Sequence, residues 1–155
     1  MFREYDLRGK ESPDELNDDS VYHIGRGFGT WLKRHGINDA VVGHDARSTS
    51  ESFYNRVIKA LLETGINVVD IGIVTTPMSY WAQYYTKVKG LVCVTASHNP
   101  AGWNGVKLGQ DLSKTLLTDE LQEVYDLISK EDYDTGTGAT VRKIDIKDAY
   151  IEDLI

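Results

Sequence analysis

Apolar residues along this chain recur with two spacings, one typical of amphipathic helices and one typical of buried strands. Helical spacing of three and four residues occurs in four stretches: 13–36, 48–65, 76–85 and 118–128. Short apolar runs typical of buried strands lie between them, at 40–42, 68–71 and 91–94. Because helices and strands alternate, the pattern predicts a three-layer α/β domain, with helices on both faces of a central mixed sheet.

The first predicted helix has three glycines at alternate positions, Gly25, Gly27 and Gly29. Each costs about 1 kcal/mol relative to alanine in a helix interior, so we expect another element to pack closely against them. They do not follow a strand, and a phosphate-binding glycine loop is therefore not predicted there. Gly36 and Gly65 are the predicted ends of the first two helices, and each is followed by Ile-Asn and a strand.

Side chains that cap helices set the other predicted boundaries. Asp18, Asp19 or Ser20 is expected to cap the first helix, and 48–51, Ser-Thr-Ser-Glu, has the form of a capping box for the second. Thr76, followed by Pro77, is the predicted cap of the third.

The third helix has an apolar stripe at positions i, i+3, i+4 and i+7. It consists of Met78, Trp81, Ala82 and Tyr85. An apolar stripe at this spacing is typical of a core-facing surface, so we predict that these side chains pack in the core and do not line a ligand site.

Chemically versatile side chains follow the strand at 91–94, where the sequence reads Thr-Ala-Ser-His-Asn-Pro. A proline cannot continue a central strand, so the chain is predicted to turn there. Ser97 is therefore expected at the carboxyl end of a buried strand, where open α/β sheets bind their ligands. By itself, a serine in a turn is most often structural, because its hydroxyl stabilises turns.

Lys107 follows in the segment Asn104-Gly105-Val106-Lys107. Asn-Gly is a strong turn signal, and we expect a turn at Asn104-Gly105 that folds the lysine back towards Ser97. Residues 106–108 are then a candidate for a short returning strand.

These segments together resemble the α-D-phosphohexomutase family, which includes phosphomannomutase and phosphoglucomutase. Residues 90–100, GLVCVTASHNP, are similar to the family's active-site signature, whose serine carries a phosphoryl group. Residues 104–107 resemble the lysine loop that follows that signature. The matches run from residue 2 to residue 109 in the family's order.

The amino terminus adds a third match. Residues 2–9, Phe-Arg-Glu-Tyr-Asp-Leu-Arg-Gly, resemble the family's opening motif, with leucine in place of isoleucine. In the family this arginine, here Arg8, lies near the phosphate in the active-site cleft, and the tyrosine, here Tyr5, lies nearby. Arginine suits that position because its guanidinium grips phosphate with two parallel hydrogen bonds.

A fourth match departs from the family pattern. Residues 43–47, Gly-His-Asp-Ala-Arg, resemble a Gly-Arg-Asp-x-Arg segment, but His44 replaces the first arginine. The position therefore lacks a permanent charge. Asp45 and Arg47 are equally consistent with a local structural ion pair and with a role in the site, and His44 has no assigned role.

The resemblance implies reversible phosphate transfer between O1 and O6 of a hexose, through phospho-Ser97 and a hexose 1,6-bisphosphate. It implies catalytic roles for Ser97, Lys107, His98 and Arg8, with Lys107 as a candidate general acid or base and His98 orienting the serine or its phosphate. Substrate binding is implied for Tyr5, Arg8, Asn99 and Lys107. Mg²⁺ would contact the phosphate on Ser97 and take its other ligands from another domain.

The family resemblance also implies a boundary within this sequence. Residues 1–138 are the predicted first domain of four, and 139–155 a linker with the start of the next. The apolar residues among 150–155 have no helix stop after them, which indicates a chain cut from a longer one. The family's Asp-Gly-Asp-Gly-Asp-type metal loop is absent from the sequence, so we expect the fragment alone to be inactive.

Composition narrows the function classes further. The 155 residues are 41% hydrophobic and carry a net charge of −7, and this negative charge argues against nucleic-acid binding. An acidic protein binds phosphate only through a local cluster of positive charge. The candidates for such a cluster are Arg8, His44, Arg47, His98 and Lys107. No apolar run is long enough to span a membrane, and no signal peptide begins the chain. The single cysteine, Cys93, is a predicted core residue, which fits a reducing cytoplasmic setting.

Two other function classes remain open at this stage. Ser97 beside His98 is compatible with a serine hydrolase, although no Gly-x-Ser-x-Gly elbow is present. A non-catalytic sugar-phosphate binding or assembly module is the other alternative. The sequence does not distinguish mannose from glucose phosphates, because the sugar-reading loop of the family lies outside these residues.

Overall fold

The computed structural model describes residues 6–155 as one sheet with five helices. The strands, in chain order, are β1 (Leu7–Lys10), β2 (Asp39–His44), β3 (Asn67–Ile73), β4 (Gly90–Val94), β5 (Trp103–Gln110), β6 (Lys114–Thr115) and β7 (Val141–Lys143). The helices are α1 (Asp18–Arg34), α2 (Ser50–Thr64), α3 (Thr76–Thr86), α4 (Thr118–Ser129) and α5 (Lys147–Leu154). The stretches predicted from apolar spacing are therefore present, with boundaries shifted by a few residues.

The sheet is mixed, as predicted. Its strand order is β1-β5-β4-β2-β3-β7, with β6 paired to β5. Strands β4, β2, β3 and β7 pair in parallel, whereas β5 runs antiparallel to both β4 and β1. The parallel part arises because each connecting helix returns the chain to the same edge before the next strand begins.

The two faces of the sheet build two separate apolar cores. Successive side chains of β2 point to opposite faces, so Val42 packs in one core and Val41 in the other. Helices α1, α2 and α4 cover the larger core, and α3 covers the smaller one together with the segment leading into α5. The three-layer arrangement predicted from the sequence is confirmed.

The cap of α1 differs from the prediction. Asn17, and not one of the three following residues, caps this helix: its side-chain oxygen accepts hydrogen bonds from the amides of Asp19 and Ser20, both at 3.0 Å. In return, the Ser20 hydroxyl accepts a hydrogen bond from the Asn17 amide at 3.0 Å. The reciprocal pair satisfies amide groups that have no partner within the helix.

The capping box predicted at residues 48–51 is wrong. Helix α2 begins at Ser50, and its cap residue Thr49 makes no side-chain capping bond. Two hydroxyls of that segment bond carboxylates outside the helix: Thr49 donates to Glu11 at 2.7 Å and Ser50 donates to Asp45 at 2.5 Å. Local spacing identified the helix start but could not reveal these competing acceptors.

The two Gly-Ile-Asn segments form the same kind of connection, as expected. Gly36 and Gly65 both have left-handed backbones, with φ of 73° and 95°. After each glycine, the isoleucine amide donates back to a leucine carbonyl in the last turn of the helix. Glycine suits this position because it lacks the Cβ that would clash in a left-handed conformation.

The glycines of α1 allow helices α1 and α2 to approach closely. A Cβ added at Gly25 would lie 2.7 Å from the Cβ of Ala60 and 3.4 Å from the backbone of Val57 in α2. At Gly27 the neighbour would be the side chain of Ile128, in α4. The predicted close packing against the glycines is therefore confirmed.

We expect Gly25→Ala to destabilise the chain although alanine favours helix. The propensity gain is about 1 kcal/mol, while overpacking against Ala60 and the α2 backbone costs typically 1–3 kcal/mol. Thermal unfolding measures the difference, at roughly 2–4 °C per kcal/mol for a chain of this size. Gly27→Ala should also lower the melting temperature, because its Cβ would lie 2.6 Å from Cγ1 of Ile128 and 3.3 Å from the carbonyl oxygen of Val124 in α4. A higher melting temperature for Gly25→Ala would contradict this interpretation.

The apolar stripe of α3 is only partly buried, contrary to the prediction. Ala82 is fully buried, but Tyr85 is 53% exposed. Trp81 stacks on Tyr85, with ring centroids 4.7 Å apart, and donates its indole N–H to Asp153 of α5. Met78, Trp81 and Ala82 therefore pack in or against the smaller core, while Tyr85 stays outside it and Trp81 also joins α3 to α5.

The carboxyl-terminal segment extends the same sheet. Strand β7 pairs in parallel with β3, and Ile146 is fully buried in the smaller core. Helix α5 buries none of its residues. A domain boundary at residue 138, with 139–155 leading into a following domain, stays a prediction.

Within residues 6–155, every helix is too short or too polar to cross a bilayer. Cys93 is buried as predicted, and its burial raises the pKa of the thiol to about 11. The thiol therefore stays protonated at neutral pH and behaves as a small core group.

Candidate functional site

Ser97 lies at the carboxyl end of β4, as the sequence predicted. It is exposed, whereas the strand before it is buried throughout. Its φ of 54° is in the left-handed region, which a residue with a Cβ adopts at a cost of about 1–2 kcal/mol. The surrounding contacts must therefore hold this backbone in place.

The turn after Ser97 comes earlier than predicted. Residues 97–102 make the reversal, and Asn104-Gly105 lies inside β5, so the turn expected at Asn104-Gly105 is wrong. Two tertiary contacts keep this pair extended. The Asn104 side chain donates to the hydroxyls of Thr49 and Ser50, and a Cβ at Gly105 would clash with the backbone carbonyl of Leu7. Glycine is needed here because the neighbouring backbone passes so close.

The backbone on both sides of Ser97 is tied down, whereas its hydroxyl is not. The Ser97 amide donates to the Thr95 hydroxyl at 3.0 Å, and the Asn99 amide donates to the carbonyl of Ala96 at 3.1 Å. Among the described residues, the hydroxyl of Ser97 and the imidazole of His98 make no hydrogen bond, and both residues are exposed. Within residues 6–155, Ser97 therefore presents an unpaired hydroxyl on a fixed turn.

Arg47 supplies most of the constraint on that turn. Its Nη2 donates to the carbonyls of Ser97 at 3.0 Å and Asn99 at 2.7 Å. Its Nη1 donates to the carbonyls of Pro100 and Trp103, both at 3.1 Å, and its Nε donates to Asp45 at 3.2 Å. A guanidinium has five N–H groups, so each of them has one acceptor here.

Asp45 anchors Arg47 from the end of β2. Burial raises the pKa of this carboxyl, but hydrogen bonds from the Ser50 hydroxyl, the Arg47 amide and the Thr95 hydroxyl, together with the Arg47 charge, outweigh burial and leave the pKa below its ordinary value. Asp45 is therefore ionised at neutral pH. The predicted Asp45–Arg47 ion pair exists, and Arg47 in addition contacts the Ser97 turn.

Arg8 and Lys107 meet at one carboxylate. The Oδ2 atom of Asp6 accepts from Nε and Nη2 of Arg8 at 2.8 and 2.7 Å, and from Nζ of Lys107 at 3.1 Å. The β1–β5 register pairs Leu7 with Val106, so its continuation sets Asp6 opposite Lys107. Period-two alternation then places all three side chains on the same face of the sheet. We call Asp6, Arg8 and Lys107 the cationic cluster.

The cationic cluster and Ser97 lie at the same end of the sheet. Gly105 is paired with Arg8, and its carbonyl accepts from the amide of Thr95 at 2.9 Å. Lys107 is paired with Cys93, on the strand that leads to Ser97. The side chains of Arg8 and Lys107 are 18% and 17% exposed, so they are partly shielded from water while still accessible.

His44 lies apart from the cationic cluster. It is buried at the end of β2, where its ring packs against Tyr54 at 4.5 Å between centroids and its Nδ1 lies 2.8 Å from the carbonyl oxygen of Asp45. Every N–H group of Arg47 donates to Asp45 or to a carbonyl of the Ser97 turn, so neither His44 nor Arg47 adds to the pair formed by Arg8 and Lys107. Of the five cations considered from composition, the structure brings together Arg8 and Lys107.

A cavity of about 710 Å³ opens beside Ser97. Its walls are largely apolar and come from α3, α5 and the end of β3; they include Ile73, Val74, Met78, Tyr150 and Ile151. Asp45, Thr95 and Ser97 form its polar end. The cationic cluster does not line this cavity.

The described residues do not form a metal centre of their own. Residues 6–155 contain no group of three His, Cys, Asp or Glu side chains placed to hold one ion. Asp45, the carboxylate nearest Ser97 along the network, already accepts from Ser50 and Arg47. The donors present therefore do not fit a complete Mg²⁺ site.

Sequence reasoning missed two residues of the site. Asp6 was part of a motif but had no assigned role, although it joins Arg8 to Lys107. Thr95 links Asp45 to the amide of Ser97. The only sequence signal for either was its position beside a predicted site residue. Tyr5 lies outside the described residues, and the side chain of Asn99 makes no hydrogen bond to any of residues 6–155.

Comparison with known proteins gives a consistent result. The family described as phosphoglucomutase/phosphomannomutase, alpha/beta/alpha domain I, matches residues 1–135. A phosphomannomutase from Vibrio cholerae is 39% identical over 99% of this chain, and the match covers 34% of that protein. A phosphomannomutase from Klebsiella pneumoniae is 37% identical, with 97% of this chain and 96% of that sequence covered.

The fold is shared with solved structures of the same family. A phosphoglucomutase/phosphomannomutase family protein from Burkholderia thailandensis superposes with a TM-score of 0.89 at 30% identity, over 97% of this chain and 34% of its own. This chain therefore spans about a third of the length of the Vibrio and Burkholderia proteins.

Proposed function

The chain belongs to the phosphoglucomutase/phosphomannomutase family, and we propose that it is the phosphoserine domain of a longer phosphohexomutase. The proposed reaction is reversible transfer of phosphate between O1 and O6 of a hexose. The observation that best supports it is Ser97, an exposed hydroxyl on a left-handed turn at the carboxyl end of a buried strand.

In the proposed cycle, phospho-Ser97 donates its phosphoryl group to the free hydroxyl of a hexose 1- or 6-phosphate. The bond between phosphorus and Ser97 Oγ breaks as a bond from phosphorus to the sugar oxygen forms. The proton of the sugar hydroxyl passes to a base, for which Lys107 is the candidate, and Ser97 Oγ takes up a proton to become a hydroxyl again. The hexose 1,6-bisphosphate then reorients in the active site and transfers its other phosphoryl group back to Ser97. Such transfer depends mainly on in-line positioning and on stabilising the phosphoryl charge.

The cationic cluster of Asp6, Arg8 and Lys107 is suited to stabilising the charge of the phosphoryl group. Two cations on one carboxylate leave a net positive charge, and Asp6 holds both at the end of the sheet where Ser97 lies. We propose that Arg8 grips phosphate oxygens and that Lys107 neutralises charge on the transferring group and serves as proton donor or acceptor. Tyr5, His98 and Asn99 are proposed to contact the substrate or the phosphoserine.

We propose one Mg²⁺ contact in this chain, the phosphoryl oxygen on Ser97. When bound there, the ion would neutralise charge on the phosphate. The other ligands would come from a part of the enzyme beyond the described residues, because these do not form a group of carboxylates able to hold it.

The names of the relatives and the composition of the chain suggest the substrates and the cellular compartment. Two relatives are named phosphomannomutase, and the family is described as phosphoglucomutase/phosphomannomutase. Mannose and glucose phosphates are therefore the proposed substrates, with the remaining domains of the same chain as partners. A net charge of −7 supports an enzyme that does not bind nucleic acid, and a single buried cysteine agrees with the cytoplasmic setting that we propose. We also propose that it does not bind membranes.

The proposed function is tested by comparing the 155-residue chain with an enzyme of full family length that contains it. We expect the short chain to unfold cooperatively yet to convert no hexose phosphate, because it holds only part of the site. The full-length enzyme should interconvert the 1- and 6-phosphates of mannose or glucose in a coupled assay.

Three results would contradict the proposal. Robust mutase activity of the pure 155-residue chain would show that the site is complete within it. A full-length protein that binds sugar phosphates without turnover would favour the non-catalytic binding module. Labelling of Ser97 by a fluorophosphonate probe would favour a serine hydrolase.

A further inference from the structure

Arg47 contacts the turn of Ser97 only through backbone atoms. Four of its N–H groups donate to four carbonyl oxygens, those of Ser97, Asn99, Pro100 and Trp103, at 2.7–3.1 Å. The fifth is used by Asp45. Arg47 therefore has no donor left for a substrate phosphate, and any effect on chemistry must pass through the turn.

We propose that Arg47 is a positioning residue that fixes the backbone of Ser97 and thereby aims its Oγ for phosphoryl transfer. The inference rests on the proposed function, because the group being aimed is the phosphoryl group on Ser97. It assigns to the segment at residues 43–47 a role that the resemblance left open.

The arrangement of the turn explains why a cation is required. Four carbonyl dipoles point at one place, and without a positive group between them they would repel one another. Ser97 is also held at φ 54°, which other backbone states would relieve. The guanidinium offsets both costs because hydrogen bonds to a charged group are stronger than neutral ones.

The rest of the network makes the guanidinium itself rigid. Asp45 accepts from the Arg47 side chain and amide, and it also holds Ser50 at the start of α2 and Thr95 beside Ser97. The Thr95 hydroxyl in turn accepts from the Ser97 amide. The turn is thus fixed to β2 and α2 through one carboxylate and one guanidinium.

Lysine cannot reproduce this arrangement. Its three N–H groups leave from one atom, whereas the five of arginine spread over a planar fork. Arg47→Lys thus keeps the positive charge and removes the planar array of N–H groups that reaches all four carbonyls. Arg34→Lys is the matched control, since Arg34 also donates several hydrogen bonds, to Asp132 and Asp134, in a region remote from Ser97.

The first measurement is hydrogen–deuterium exchange on the 155-residue chain. We expect the amides of Ser97 and Asn99, which are hydrogen-bonded in the turn, to exchange at least about tenfold faster in Arg47→Lys, because several of the hydrogen bonds that hold the turn are not remade. Amides of β2 and β4 should keep their protection. Arg34→Lys should leave residues 97–99 unchanged. Arg47→Gln, which keeps two N–H groups without charge, should repeat the result and replaces Arg47→Lys if that variant does not fold.

The second measurement is steady-state kinetics of the full-length enzyme. We expect Arg47→Lys to lower kcat about 10²-fold with little change in KM, since misplacement of a reacting group by about 1 Å has this effect. Loss of kcat together with local exchange at residues 97–99 supports positioning.

Three outcomes would overturn the inference. Unchanged exchange at residues 97–99 would show that Arg47 does not hold the turn. Faster exchange throughout the sheet would reduce its role to general stability. A raised KM with unchanged kcat would make it a binding residue. If the wild-type enzyme lacked mutase activity, the proposed function would fail while the exchange result still decided the positioning of Ser97.

Discussion

Replacing Ser97 by alanine in the full-length enzyme is expected to abolish both phosphorylation and turnover. Incubation with glucose 1,6-bisphosphate should add one phosphoryl group to the wild-type protein and none to Ser97→Ala, as measured by intact-protein mass spectrometry. The physical reason is that the oxygen that accepts phosphorus is gone, and no positioned group replaces it. The loss in kcat should be on the order of 10⁴-fold or more, as for other enzymes that lose their nucleophile.

A matched serine separates this effect from backbone strain. Ser113 also has a left-handed backbone, with φ of 65°, and is exposed, but it lies in the turn between β5 and β6, outside the candidate site. Ser113→Ala meets a comparable conformational cost at that turn. Its phosphorylation and turnover should match wild type. One added phosphoryl group on Ser97→Ala would show that another residue is the acceptor.

Replacing Lys107 by alanine is expected to lower kcat by about 10²–10³-fold and to change KM much less. A charge that stabilises the transferring phosphoryl group acts more strongly in the transition state than in the ground state, and losses of this size follow removal of one such group. Steady-state kinetics with glucose and mannose phosphates should show similar factors for both sugars. Asp6 remains paired with Arg8 at 2.7 Å, so the fold should persist and thermal unfolding can verify it.

Two further variants show whether the effect of Lys107→Ala comes from the lost charge at that position. Lys107→Arg keeps a cation opposite Asp6 and should recover part of kcat. Lys114→Ala removes an exposed lysine from β6, which pairs with β5, and should behave like wild type. If Lys107→Ala kept its kcat and altered only the preference between the two sugars, Lys107 would determine specificity and the proposed role would be wrong.

In the proposed enzyme, the metal and the sugar take most of their contacts from outside residues 6–155. The donors among residues 6–155 form no complete ion site, and the cavity beside Ser97 has mainly apolar walls. Both observations agree with a domain that provides the phosphoryl carrier and part of its charge stabilisation. The remaining recognition is then expected from other domains of a longer enzyme.

The sequence by itself determined the layered fold and the place of Ser97. Apolar spacing is a local property: a period near 3.6 buries one face of a helix, and a short apolar run buries a strand. These signals located the main helices and strands and showed that the polar segment at 95–100 follows a buried strand. They also explained the glycines of α1 as a packing surface, which Ala60 and Ile128 now occupy.

Only the tertiary structure decided how the side chains around Ser97 are used. The Asn104-Gly105 pair has strong local turn chemistry, yet hydrogen bonds to α2 and the close passage of β1 keep it in a strand. Asp6 joins Arg8 to Lys107 across about a hundred residues of sequence, and Arg47 contacts carbonyls half that distance away. Polar side chains form hydrogen bonds with whichever partners the packed fold brings near. Sequence spacing therefore predicts which element each polar residue lies on, and the tertiary structure determines which groups its side chain contacts.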